Sequence, residues 1–280
     1  MKKVIISLIC VILVGYHAVA QETPPNVTVY PKEIFDVLNN PGIGFTTFQR
    51  FNGDELNSGR RWTEGLPIVY QPFNGDLTNK RHPQTSIAYF RVYWKYLETE
   101  PGQYNWPMID KALRTAAERG QTLMFRVAPY GQDEHDVPDW YRTMEGKEKP
   151  EVDPHWRVDP EDPRYLLYFG NMISAFGQRY DGHPDFEPVD ISFVGYWGEG
   201  SGTHLLSEKT RVALINCYLD NFKKTPLNFQ LLNGDAPDPG LMVNGTNIAA
   251  SWLDGRNNGE GPQMRHVGYR MDCLGPSIHP

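Results

Sequence analysis

The stretch Trp197-Gly198-Glu199-Gly200-Ser201-Gly202 holds the residue of this chain best suited to acid–base work. A carboxyl between two glycines has no neighbouring side chain to cover it, and the nearby indole offers an apolar wall. Burial against such a wall raises a carboxyl pKa, which a proton donor at neutral pH requires. The plain alternative is an idle, exposed Glu on a glycine-rich turn. Rival chemistries do not fit the same residues. A dinucleotide loop wants G-x-G-x-x-G, and a carboxylate there repels a pyrophosphate. A nucleophile elbow wants Ser at the centre of G-x-S-x-G, which no frame of the stretch provides.

Metal chemistry finds no support, and no metal or cofactor is predicted. The eight His include no H-E-x-x-H pair and no Cys/His cluster of ligand spacing. The acids Asp153, Asp159, Glu161 and Asp162 lack the order of a calcium loop and read as a solvated segment. Two cations are unusual. Arg91 and Arg126 sit in the otherwise apolar runs Phe90-Arg91-Val92 and Phe125-Arg126-Val127. An Arg inside a sheet is costly unless paired, so each either braces a catalytic carboxylate or bonds a substrate hydroxyl, or else closes a structural ion pair with a neighbouring strand.

These residues need strands to hold them. From residue 87 onward, short β-branched or aromatic runs alternate with longer segments of helical period, the signature of βα units around a parallel sheet. The expected strands are Gly44–Phe48, Ile87–Tyr93, Leu123–Ala128, Asp190–Tyr196, Leu227–Leu232 and His266–Met271. Helices are expected where Asn105 and Pro107 precede the stripe Met108, Ile109, Ala112, Leu113, Ala116 and Ala117, where Asp162-Pro163 opens Leu166 to Tyr180, and where Ser207 opens Val212 to Phe222. The fold class is therefore α/β, of the (β/α)8 barrel type. Six strands are found where a closed barrel needs eight, because irregular inserts at roughly 51–85 and 130–160 take up length. Either the sheet stays open or the barrel is truncated at its C-terminus.

In such a barrel, reactive groups gather behind the C-terminal ends of strands. The residues there are Gln49-Arg50, Tyr93-Trp94, Pro129-Tyr130, Trp197-Gly198-Glu199, Asn233 with Asp235, and Asp272. Glu199 is the candidate catalytic residue. Arg50, Arg91, Tyr93, Arg126, Tyr130, Trp197, Asn233, Asp235 and Asp272 are the candidate substrate-binding residues.

The N-terminus reads as a signal peptide over 1–20: Met1-Lys2-Lys3, an apolar run Val4–Val14 too short to span a bilayer, and Ala18-Val19-Ala20. A short extension over 21–40 then leads to a barrel over 41–280. The expected location is secreted or periplasmic, with attachment at the cell surface as a variant, and no integral membrane segment after cleavage. The chain carries 27 Lys and Arg against 34 Asp and Glu, and removal of Lys2 and Lys3 moves its net charge from −7 to −9. That excess disfavours nucleic acid as a partner. Seven Trp and fifteen Tyr suit either sugar stacking or a large aromatic core. Trp62, Trp140 and Trp156 lie in the inserts, where they form a sugar platform or pin the loops. Cys217 and Cys273 remain after cleavage, too few for a disulfide scaffold.

The segment Trp94-Lys95-Tyr96-Leu97-Glu98-Thr99-Glu100-Pro101-Gly102-Gln103-Tyr104-Asn105-Trp106, ending in Ile109-Asp110 and continued by Gly120-Gln121-Thr122-Leu123, resembles the link between second strand and helix in β-galactosidase-like, clan A type glycoside hydrolases. The chain is also similar to exported barrel proteins of gut-type bacteria that carry a W-G-E turn. The first resemblance implies cleavage of O-glycosidic bonds in an oligosaccharide or polysaccharide, with Glu199 at the acid/base position after the fourth strand. That family places Asn before this Glu, where Gly198 stands here, and a nucleophile Glu after a seventh strand that the sequence does not display. The competing reading is a barrel that binds glycans at the cell surface without turnover.

Overall fold

The computed structural model describes residues 45–55, 63–79, 82–129, 131, 137–144, 158–195, 197–200 and 202–230, together with Tyr30 and the short strands 242–243, 246–247 and 267–270. Residues 1–38 and 39–280 are separate compact units, and the following concerns the second. The expected signal segment lies outside the described residues. Among those described, no helix is long and apolar enough to cross a membrane.

Six strands form one sheet: β1 (Thr46–Phe48), β2 (Ile87–Tyr93), β3 (Thr122–Ala128), β4 (Phe186–Asp190), β5 (Leu227–Gln230) and β6 (Val267–Arg270). Every neighbouring pair is parallel, and the strands lie side by side in the order of the chain. Sequential parallel strands joined by helices make the wall of a (β/α) barrel, whereas a doubly wound sheet reverses its strand order. Among the described residues the wall is open, with β1 and β6 at its edges.

Three helices cover one face: α1 (Trp106–Glu118), α2 (Pro163–Tyr180) and α3 (Glu208–Asn221). The Ser207 and Asp162 side chains cap α3 and α2 by accepting from Thr210 N and Arg164 N. Asn105 stands at the N-cap of α1 without a capping bond; its amide donates to Tyr96 O instead. Alternation in β2 sends Ala88, Phe90 and Val92 into the large core beneath the helices, together with Ile109, Phe169 and Phe176. Ile87 and Tyr89 face the other side, where they meet Met124 and Phe48. The period of two therefore puts Tyr89, Arg91 and Tyr93 on the inner face.

The segment Trp94–Trp106 is a structural lock. Trp94 is fully buried, makes edge-on contact with Trp140, Tyr165 and Phe169, and donates from Nε1 to the Glu98 carboxylate at 2.6 Å. Gly102 N donates to the same carboxylate. Burial pushes the Glu98 carboxyl upward, against the two hydrogen bonds that act to lower it. Trp140 donates to Glu98 O, so it pins its loop to this lock. Trp62 and Trp156 lie outside the described residues.

The fourth strand departs from expectation. It spans Phe186–Asp190 instead of Asp190–Tyr196. The run Ile191–Val194 is buried; Ile191 N still donates to Asn228 O of β5, and beyond it side-chain hydroxyls bond the backbone. Tyr218 on α3 donates to Ser192 O at 2.6 Å, and Tyr165 on α2 donates to Phe193 O at 2.6 Å. Backbone groups already satisfied by side chains have no need of a neighbouring strand.

Candidate active site

Glu199 follows this buried run on a turn in which five of the described residues are left-handed. Gly195, Trp197, Gly198, Gly200 and Gly202 all have φ between 54° and 86°. Trp197 is the costly one, because its Cβ crowds the backbone in that conformation. Arg126 Nη1 donates to Trp197 O at 3.2 Å, which ties the turn to β3. Gly198 is required on two counts: its φ is 73°, and a Cβ there would stand 1.8 Å from Ser192 Oγ. The Asn that the resembled enzymes place before their Glu therefore has no room at this position.

The turn delivers the Glu199 carboxylate to Arg91 Nη1, with 26% of the Glu199 side chain accessible. The same nitrogen is held by Glu64, and that pair is almost wholly covered, at 4% and 5%. Glu64 comes from the insert after β1. There, Gly65 N donates to Arg91 O and Tyr93 N donates to Gly65 O, so the chain runs beside β2 where β1 has ended. Gln49 locks this piece by donating from Nε2 to both Thr63 O and Arg91 O. Gly65 has φ 80°, and the Tyr93 ring lies where its Cβ would be, 2.1 Å away; a Cβ on Gly131 would meet the Tyr93 hydroxyl at 1.9 Å.

Beneath these groups lies a second pair. Arg91 and Arg126 are register partners on adjacent strands. Arg126 Nη2 meets the Asp190 carboxylate at 2.8 Å, with both side chains fully buried. Arg91 Nε donates to the Tyr89 hydroxyl at 2.7 Å, and that hydroxyl donates to Asp190. The chain of contacts Glu64, Arg91, Tyr89, Asp190, Arg126 therefore crosses three strands. Two guanidinium groups meet three carboxylates, and this described cluster carries one net negative charge. Burial alone lowers the Arg91 pKa, but Tyr89, Glu64, Glu199 and Asp190 outweigh it and the net shift is upward.

The sequence-predicted residues thus separate into groups. Glu199, Arg91, Arg126 and Trp197 share one network, and Tyr93 packs at its rim between two glycines. Arg50 lies apart. Burial lowers its pKa and Asp54 raises it, with a downward net shift. Tyr130, Asn233, Asp235 and Asp272 lie outside the described residues. Sequence reasoning missed Glu64, Tyr89 and Asp190. Tyr89 was findable, since it stands two residues before Arg91 in a strand; Glu64 sits in an insert without periodicity. Among the described residues no three His, Cys, Asp or Glu gather as metal ligands. A hollow of about 410 Å³ lies between Asp110, Arg114, Arg179 and His183, none of which belongs to this network.

No protein-family profile matches the chain, and no curated protein does. Solved structures do. The chain is similar to endoglycoceramidase II from Rhodococcus sp., in its ganglioside GM3 complex, at 16% identity and a TM-score of 0.41, covering 67% of this chain and 48% of that one. It is similar also to a xylanase from Cellvibrio japonicus, at 13% identity and 0.35 over 52% and 28% of the two chains. A third is the β-amylase catalytic domain from Paenibacillus polymyxa, at 14% and 0.32 over 40% and 30%. The chain spans less than half the length of the solved structures it matches.

Proposed function

We propose that this protein cleaves O-glycosidic bonds in an oligosaccharide or polysaccharide, with Glu199 as the general acid/base. One observation carries the reading: the turn behind the fourth parallel strand presents a partly accessible carboxylate at the C-terminal end of the barrel wall, anchored on a buried guanidinium. An acid/base residue must give up its proton in one step and accept one in the next. A carboxylate held by Arg91 is set to act as the base. Trp197, two residues before it and half-buried, is an aromatic residue of the kind that meets a sugar ring.

The test is turnover of a panel of aryl glycosides and polysaccharides by the native protein and by Glu199→Gln. Loss of general acid/base help is expected to lower kcat about 10²–10⁴-fold. Equal rates end the catalytic role, and glycan binding without turnover in either protein replaces it with the binding reading. Export belongs to the same proposal: N-terminal sequencing of protein recovered from outside the cytoplasm is expected to begin at Gln21.

A further inference from the structure

We infer that Glu64 is a positioning residue, which acts through Arg91 to set the place and charge of the Glu199 carboxylate; this deepens the glycosidase reading and rests on it. Both carboxylates touch Arg91 Nη1. Two oxygens on one nitrogen lie no more than about 6 Å apart, because each is within a hydrogen-bond length of about 3 Å. The two carboxyls are not a retaining pair set across a sugar carbon, because the guanidinium nitrogen occupies the place between them that a reacting carbon needs. Glu64 is also only 5% exposed. Glu64 contacts Arg91, and the accessible carboxylate on that guanidinium is Glu199.

The surroundings of Glu64 are built for one position. Gly65 admits no side chain beneath the Tyr93 ring, two backbone hydrogen bonds tie it to β2, and Gln49 clamps Thr63. A buried ion pair is a poor source of stability compared with apolar packing, so a segment shaped this closely around one points to a role in the site. Among the described residues, the groups that face the Glu64, Arg91 and Glu199 trio include Tyr89 on β2, Asp190 at the end of β4, and Arg126 on β3, which acts through Asp190 and Trp197 O. Of these, Glu64 is the like charge that shares an atom with Glu199.

The experiment follows side-chain carboxyl signals by carbon NMR in protein labelled at Glu, with Glu199 assigned from its loss in Glu199→Gln. Removal of the neighbouring negative charge in Glu64→Gln is expected to move the Glu199 titration midpoint down by about half a unit to two units. Glu64→Asp, which keeps the charge, is expected to move it less. By reciprocity, Glu199→Gln moves the midpoint of Glu64 in the same direction by a similar amount, so the coupling is read even if Glu64→Gln does not fold. Midpoints that stay within about 0.2 unit of native in a folded variant overturn the inference, because a purely structural carboxylate alters stability and leaves Glu199 unmoved. Where an aryl glycoside is turned over, the limb of its pH profile that Glu199 sets as proton donor, the alkaline one, moves with the midpoint while KM holds. Absence of turnover refutes the glycosidase reading and leaves the titration result standing.

Discussion

The Asp190 carboxylate offers the sharpest test of how the inner face is held. It is fully covered, 2.8 Å from Arg126, and it accepts the Tyr89 hydroxyl. Asp190→Asn keeps the shape and one oxygen, removes the charge, and turns an amide against groups that are themselves donors. The buried Arg126 guanidinium then loses the carboxylate 2.8 Å from it. Breaking a buried pair in this way costs about 3–5 kcal/mol, against a total stability of about 5–15 kcal/mol. At roughly 2–4 °C per kcal/mol for a domain of this size, the thermal midpoint is expected to fall by about 6–20 °C. Circular dichroism melts of both proteins measure it. The companion is Asp190→Leu with Arg126→Met, which removes both charges and is expected to recover most of the loss, since apolar replacement of a whole buried pair is often neutral. A midpoint shift under about 2 °C for Asp190→Asn, or a double variant as unstable as the sum of its parts, refutes this account.

Two further outcomes follow from the geometry. Gly198→Asn is expected to destabilise the fold by about 1–3 kcal/mol: Asn tolerates a left-handed backbone, so what remains is the clash of its Cβ with Ser192 Oγ, and urea unfolding reads it. Asp181 concerns acid stability. Burial acts to raise its pKa, but backbone donors from Thr225, Lys224 and Lys223 outweigh it and hold the carboxyl below its ordinary range. A depressed folded-state pKa contributes stability above the unfolded value of about 3.9, which is lost as pH falls through the folded value. The urea midpoint of native protein is therefore expected to drop more steeply below about pH 4 than that of Asp181→Asn; parallel curves speak against this role.

The architecture was legible because periodicity reports burial. The pattern in Ile87–Tyr93 marks a strand covered on both faces, and the Asp162-Pro163 and Ser207 starts name their helices by capping chemistry. The fourth strand was displaced because an apolar run shows that residues are buried and says nothing of what satisfies their backbone. Here Tyr165 and Tyr218 do so from 28 and 26 positions away in the chain. Glu199 was visible from its glycine neighbours, and Arg91 and Arg126 from their misfit in apolar strands. Glu64 was not visible, because its importance arises from Gly65 aligning beside β2, a long-range register that no local spacing records. Gly198 looked like a missing Asn in the sequence. In the fold it is a residue that Ser192 forbids from being anything larger.

The sequential order of the six strands also bears on how the molecule comes together. Each new strand can dock on the one made just before it, so the wall can grow in the direction of synthesis. The two arginines, however, lie next to each other as soon as the third strand is laid down, and their acidic counterparts at 190 and 199 arrive only with the fourth. Until then two cations share an apolar face with only the carboxylate at 64 between them. The fourth strand and the turn behind it therefore bring the two carboxylates that carry this patch from a formal excess of one positive charge to an excess of one negative charge.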